Sequence, residues 1–494
     1  MPLSGYYPAL VGPNACCVHL AEFAIALYPE NPAMNVIPTS TLKSPGLSPP
    51  VVNSPYFWQL LQWTFWPVEF LDRCAARYGD CFAVRISKNQ PFWVFISDPQ
   101  MVAEVFAAAA GQMDTGRASR QVRYSMGEYS TLVLDGKPHQ RHRKLLMPPF
   151  HGERMKAYGH EICDITTQMT CHWTPGTALT MLPVMNDITL QVILKTVFGL
   201  YSGERYEQIK LYLRQFLAVF GHPLFYPLSF FPGLLKDRGP WRPVENFMRM
   251  RRPIDDLLFA EIRERRQNFD PNQPDILTLL MAARDEDGQP LSDQELRDEL
   301  MTMLPAGHDS SASTLAWAFY YIHSHPAVKT KLLAELDTLG DQPEPMAIAR
   351  LPYLSAVCSE SMRLRSAGPT IQCRITNGPM QIGPYEFPVN TMLIPSNYLT
   401  HHREDLYPEP QQFRPERFLE RQYTPYEYYP FGGGNRYCIG AAFAQFEMKL
   451  VLATILKRYQ LALRDKRPIK AIRRGVNISP QGGVKMTVRA LRPV

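Results

Sequence analysis

The chain has 494 residues, enough to bury a large core, and 45% hydrophobic against 20% charged residues is the balance of a folded globular protein. Its 52 basic and 46 acidic residues leave a formal charge of +6, too small and too evenly spread to imply a nucleic-acid partner. Nine cysteines, an odd number with no CxxC pair, speak against a zinc site or redox dithiol and fit the reduced thiols of a cytoplasmic protein.

Residues 1–45 are rich in Pro, Ser and Asn and read as a disordered arm ahead of a single domain over 46–494. Met34 is a second candidate start, which would leave residues 1–33 outside the native protein. No apolar stretch approaches the roughly 18–20 residues that span a bilayer. The run 21–28 contains Glu22 and has no basic region before it, so neither a transmembrane segment nor a signal peptide is expected. From Tyr56 the pattern changes. Residues 57–78 have helical spacing, and 81–85 with 92–96 read as a strand pair.

Long helical patterns then dominate to about residue 365. One begins near Asp135 and sets His139 and Arg143 four apart on one face. Phe216, Phe220, Phe225, Tyr226, Phe230 and Phe231 stand among prolines, which suits core packing, a greasy channel or a patch resting on a membrane surface. Ser292-Asp-Gln-Glu295 is a capping box that opens a helix reaching about His323. Inside it Pro305 cannot donate an N–H and Gly307 is a poor helix former, so a kink or widening is expected. Ala306 and Ser310 fall on one face of that helix, with Asp309 beside them. Glu360 and Arg363 can pair across one turn, although such a pair at a surface is worth well under ~1 kcal/mol. Residues 366–435 are broken by Pro and Gly into loops and short strands. A last helix from about Gly440 to Tyr459 precedes a strand-rich tail.

The most informative segment is Phe431-Gly-Gly-Gly-Asn-Arg-Tyr-Cys438-Ile-Gly440. A glycine-rich run leads to one cysteine and then directly into a helix, so the sulfur faces helix N-terminal N–H groups and the positive end of the dipole. Both lower the thiol pKa and favour the thiolate. Gly434 and Gly440 would let the backbone approach a flat, bulky partner, and Arg436 would pair with an anion on it. A glycine turn over a buried cysteine is the plain alternative. Chance gives F-x-x-G-x-R-x-C-x-G in only about one in ten thousand chains of this length, which weighs against that alternative.

That pattern is the haem-binding signature of the cytochrome P450 family, which the sequence resembles from about residue 45 to its end. The resemblance implies a mainly α fold, a large helical lobe with a smaller β-rich lobe, and haem b between the long central helix and the cysteine loop. It makes Cys438 the proximal iron ligand, whose thiolate pushes electron density onto the metal, and places Phe431, Arg436 and Gly440 against the cofactor. His139, standing where the family often has Trp, and Arg143 would face the haem propionates, as would Arg374 from a strand. Phe413-Arg-Pro-Glu-Arg417-Phe matches the family's P-E-R-F element, which would join Arg417 to Glu360 and Arg363 in a structural cluster beneath the loop. Ala306, Gly307, Asp309 and Ser310 resemble the A-G-x-D/E-T-T motif, an oxygen groove with an acid–alcohol pair for proton relay. Ser310 replaces the usual threonine, and its alternative role is a bond back to the Ala306 carbonyl. The turn after Arg365 lacks the family's usual proline.

The activity so implied is hydroxylation of a hydrophobic substrate, a fatty acid, alkane or terpenoid-like lipid as in similar cyanobacterial members, with O2 as co-substrate. The chain ends too soon after Cys438 for a fused reductase, so a separate ferredoxin or flavodoxin with its NADPH reductase is expected, and the protein is expected to be a monomer. Arg141, His142, Lys144, Lys449 and Lys457 would form a docking surface for that acidic donor. Two other classes share the fold. Isomerases, dehydratases and peroxygenases usually disturb the acid–alcohol pair, and a non-catalytic haem sensor or lipid carrier has no use for it.

Overall fold

Helices carry most of the chain because apolar residues recur at helical spacing over long stretches. The computed structural model describes residues 47–492 apart from 87–90, 110, 151, 153, 201, 221–242 and 466. The helices that frame the site are α1 (Tyr56–Phe65), α2 (Pro67–Tyr78), α3 (Gly136–Leu146), α4 (Arg154–Thr170), α5 (Met181–Phe198), α6 (Asp293–Ser324), α7 (Pro352–Leu364) and α8 (Ala441–Arg458). The single helix expected over 57–78 is two. Trp66 leaves helical geometry at φ −137°, and Pro67, which lacks an N–H to donate, starts the second helix.

The strand pair is found where expected, β1 (Cys81–Val84) antiparallel to β2 (Trp93–Ile96) with Cys81 opposite Ile96. It grows into a five-stranded sheet by recruiting β3 (Met113–Asp114), β5 (Arg374–Thr376) and β8 (Met392–Pro395) in the order β1-β2-β8-β5-β3. β2 and β8 run parallel, with Trp93 beside Met392. The remaining strands are smaller assemblies. β6 (Met380–Ile382) pairs with β7 (Tyr385–Phe387), and β4 (Ala178–Thr180) lies in a sheet with β12 (Lys485–Leu491) and β9 (Tyr459–Leu463). β10 (Ala471–Arg474) and β11 (Asn477–Pro480) form a hairpin through Gly475 at φ 62°. A core built on α4, α5, α6 and α8 fills the helical lobe, and two smaller clusters cover the faces of the five-stranded sheet.

The long helix α6 begins at the expected capping box: the Glu295 amide donates to Ser292 Oγ at 3.2 Å, and the Ser292 amide to Glu295 Oε2 at 2.7 Å. Pro305 and Gly307 do not end α6, which runs 32 residues as one helix. Packing explains the glycine. A Cβ at Gly307 would lie 2.8 Å from Ile193 Cδ1, so its absence lets α5 sit close against α6. Helix α5 also corrects the reading that no stretch is long enough to span a bilayer. By length and composition it could cross one, yet most of it is buried in the core against α6.

The anticipated cluster of Glu360, Arg363 and Arg417 is present and closed to solvent. Glu360 Oε2 accepts from Arg363 Nε at 2.7 Å, while Oε1 accepts from Arg363 Nη2 at 2.9 Å, Arg417 Nε at 3.1 Å and the Arg414 amide at 2.9 Å. A carboxylate holding two buried guanidiniums cannot be removed without stranding them. Glu360→Ala should therefore destabilise the protein by about 3–5 kcal/mol in urea unfolding. Lys331→Ala, which breaks an exposed 2.6 Å pair with Glu416, should cost about 1 kcal/mol or less.

Candidate functional site

The cysteine loop is shaped by contacts on the side away from the cavity. Gly432 and Gly434 have φ of 70° and 64°, and a Cβ on Gly433 would sit 2.2 Å from the Phe106 ring. Gly434 thus serves the turn and the backbone of Phe106, 2.4 Å from its would-be Cβ, and not the approach of a flat partner. Gly440 does match that expectation: it lines the cavity, and no atom lies within 4 Å of where its Cβ would stand. The Cys438 amide donates to Phe431 O at 3.0 Å, closing the loop.

Below it, the Tyr429 amide donates to His401 Nε2 at 3.0 Å and Tyr429 Oη meets Thr400 Oγ1 at 2.6 Å. Arg363 Nη1 donates to His401 O at 2.7 Å, so the cluster around Glu360 reaches the start of the loop through one histidine. No sequence motif marks His401 or Tyr429 for this task.

Cys438 opens onto a cavity of about 420 Å³ that is shared by Ala306, Gly307 and Ser310 of α6 and by Phe431 and Gly440 of the loop. The expectation of a depressed thiol pKa is reversed. Burial pushes the thiol up, against the Gly440 N–H and the Arg143 charge, which both pull it down.

Basic side chains gather at one end of the same cavity. Arg374 is buried, and its Nη2 donates to Gly433 O at 2.9 Å, but Nη1 has no partner and Phe106 covers the guanidinium at 4.9 Å. Burial and the neighbouring Arg436 bring its pKa down to about 10. Arg143 donates to Tyr437 O at 2.6 Å beside the cysteine. Burial, with the charges of Arg436 and Arg143, lowers His139 to about 4, so the ring is neutral and offers an N–H near pH 7. Arg436 is also tied to the chain. It lines the cavity, but its donors go to Thr131 O at 2.9 Å, Leu134 O at 2.6 Å and Asp135 Oδ1 at 2.6 Å. Asp135, marked in the sequence only as the start of a helix, also accepts from the amides of Thr115, Gly116 and Arg117 and so ties the start of α3 to the β-lobe.

A sulfur facing a slot with open space at Gly440, and an orphaned buried guanidinium nitrogen at its edge, fit haem b. Cys438 would bind the iron, and Arg374, Arg143 and neutral His139 would receive the two carboxylates.

On α6, Ala306 and Ser310 both face the cavity, as their spacing predicts. Ser310 does not bond back to Ala306. Its hydroxyl donates to Asn477 Oδ1 at 3.4 Å, and Asn477 Nδ2 donates to Asp309 Oδ2 at 2.6 Å. Asn477 lies more than 160 residues away in a short strand with no motif around it, and sequence reasoning had no signal for it.

The basic residues expected at a docking surface have partners within the chain. Arg141 pairs with Asp285 and Glu295, both at 2.6 Å, and His142 is buried between Glu299 at 2.8 Å and Glu295 at 3.1 Å. Lys449 caps Ala349 O at 2.9 Å, and Lys457 binds the carbonyls of Leu336 and Gly340. Lys144 is exposed and pairs with Glu286 at 2.5 Å. Of the aromatic run, Phe216 is buried against Phe247 at 5.7 Å. The side chain of Phe220 and residues Phe225, Tyr226, Phe230 and Phe231 lie outside the described residues.

Behind the α6 wall, α8 carries Glu447, fully buried with Oε2 unpartnered. Burial raises its carboxyl to about 8, with a smaller opposing pull from a Ser311 hydrogen bond. The folded state therefore holds this proton while the unfolded chain, at the ordinary 4.5, releases it. Its contribution to stability is full below about 4.5 and is lost as pH rises through about 8. Glu447→Gln should gain stability relative to the unmutated protein as pH rises across that window, measured by melting temperature in a buffer series.

The profile of the cytochrome P450 family matches residues 48–486. The Mycobacterium tuberculosis protein named cytochrome P450 135B1 is 33% identical over 433 residues, covering 86% of this chain and 88% of its own. That organism's cytochrome P450 138 is 31% identical over 444 residues, covering 89% and 96%. Among solved structures, a mutant cytochrome P450DA haem domain superposes with TM-score 0.80 at 25% identity, covering 90% of this chain and 98% of that one. A retinoic-acid-bound cyanobacterial CYP120A1 shares the fold, with TM-score 0.75 at 23% identity over 90% and 99%. With the helical architecture, the cavity-facing Cys438 and this agreement over nearly the whole chain, the protein belongs to the cytochrome P450 family of haem-thiolate monooxygenases.

Proposed function

We propose that the chain, folded as one domain over 46–494 with residues 1–45 as an appended arm, hydroxylates a hydrophobic small molecule in the cytoplasm. The substrate class is a fatty acid, alkane or terpenoid-like lipid, and the electrons come from a separate ferredoxin or flavodoxin with its NADPH reductase. One observation carries the reading: Ser310, with Asp309 beside it, borders the same apolar cavity as the Cys438 sulfur. Haem b, held by Cys438, would supply the redox chemistry by which O2, two electrons and two protons convert a C–H bond to an alcohol with release of water.

The chain's own residues bind, orient and move protons. Cys438 contributes its sulfur as thiolate, with the Gly440 N–H and the Arg143 guanidinium favouring the negative charge. Arg374, with a free buried Nη1, together with Arg143 and His139, would hold the cofactor's carboxylates. Leu132, Phe150, Ile193, Met303 and Ile371 give the cavity apolar walls, which exclude water and favour a greasy substrate. Ser310 Oγ borders the cavity as the alcohol of the pair, and Asp309, joined to it through Asn477, is the acid. Isomerases of this fold need no such donor, and a sensor has no use for one.

Purified holoprotein reduced under carbon monoxide should show the red-shifted absorption band of thiolate ligation, and Cys438→His should lose it. Ser310→Ala should release several-fold more hydrogen peroxide per substrate oxidised, with product formation reduced roughly tenfold or more. NADPH consumption with a surrogate ferredoxin pair and a lipid panel reads both quantities. Tight coupling in Ser310→Ala would remove the relay, and no oxygenated product from any lipid would remove the substrate class.

A further inference from the structure

Adjacent side chains on a helix diverge by about 100°, so Asp309 and Ser310 cannot readily hydrogen-bond each other. A primary amide carries a donor and an acceptor on one rigid plane and can join two such groups. Asn477 is placed to do this. It is buried, its Nδ2 donates to Asp309 Oδ2 at 2.6 Å, and its Oδ1 accepts from Ser310 Oγ at 3.4 Å. Among the described residues these are the hydrogen bonds recorded for either α6 side chain.

The strand that carries Asn477 is itself held at two places. Toward α6, Ile478 O accepts from Trp317 Nε1 at 3.1 Å, and Ser479 Oγ meets Ser313 Oγ at 2.8 Å. Toward the cavity, the Ile478 amide donates to Ala367 O at 2.6 Å, and Val476 O lies 3.4 Å from where a Gly368 Cβ would be. Ala367 and Gly368 are cavity wall. The residue that bridges the acid and the alcohol therefore stands next to the residue bonded to the wall a substrate would press upon.

We propose that Asn477 is a positioning residue, which holds Asp309 and Ser310 in register for proton delivery and links that register to the cavity wall at Ala367 and Gly368. The proposal rests on the acid–alcohol reading of Asp309 and Ser310. An amide suits the task because it does not titrate, so it keeps one donor and one acceptor for its two partners across the working pH range. Asparagine cannot be replaced by its isostere here. Aspartate has the same shape but no N–H, and it would set one carboxylate against another.

The test uses holoprotein with a surrogate ferredoxin pair and dodecanoic acid as probe, in Asn477→Ala, Asn477→Asp and Ser310→Ala, each first shown to give the carbon monoxide spectrum of the unmutated protein. Both Asn477 variants should release several-fold more peroxide per product, with the dissociation constant for the fatty acid, read from its spectral titration, changed less than twofold. An Asn477→Asp variant as tightly coupled as the unmutated protein would show that the amide merely fills space and would overturn the proposal. Hydrogen exchange gives a readout apart from turnover. Dodecanoic acid should slow exchange at 306–312 in the unmutated protein, and Asn477→Ala should abolish that slowing while leaving it at 366–369. Slowing of 306–312 that survives in Asn477→Ala would overturn the link to the wall. If Ser310→Ala stays coupled, the acid–alcohol reading fails. If Ser310→Ala uncouples and the Asn477 variants do not, this proposal alone fails.

Discussion

A single buried carboxylate underlies the geometry of the site. Glu360 gathers Arg363, Arg417 and the Arg414 amide, and Arg363 in turn holds the carbonyl of His401, whose ring receives the Tyr429 amide at the foot of the cysteine loop. Charges sealed in this way contribute little net stability, but they tolerate few alternative arrangements. That restriction is what a loop needs if its sulfur must meet a metal along one line. The aromatic contacts of Tyr428 and Tyr429 with His401 stiffen the same path.

The loop's chemistry runs against its surroundings. An apolar wall suits a greasy substrate and a flat cofactor, yet it also raises the Cys438 thiol and holds down Arg374 and His139. The site answers with polar groups placed at close range: Arg143 beside the sulfur, Arg374 under the ring of Phe106, and the His139 imidazole. Burial supplies the binding energy, and a few fixed dipoles and charges set the orientation.

Local patterns were legible and distant contacts were not. The capping box at Ser292, the pairing of Glu360 with Arg363, the first strand pair and the helix after Cys438 all depend on neighbours within a few residues, and each is found. The join of β2 to β8, the bridge of Asn477 to α6 and the seat of Tyr429 on His401 link positions far apart in the chain, where one sequence offers no pattern to read. The glycines teach the same lesson. Gly307 and Gly434 were recognised as unusual, but their causes, Ile193 on another helix and the backbone of Phe106, are tertiary. The basic residues around α3 looked like a patch because their acidic partners Asp285, Glu295 and Glu299 are distant in sequence from them.

Glu295 does more than cap a helix. It closes the capping box of α6 and also takes Arg141 and His142 from α3, so the first turn of the long helix is clamped to its neighbour by one carboxylate. A rod fixed at one end yields where its ladder is weakest. Pro305 removes a rung by having no N–H for the carbonyl four residues back, and Gly307 has no side chain to brace the next turn. The weakest part of the α6 ladder therefore lies beside Ala306 and Ser310, where the helix borders the cavity.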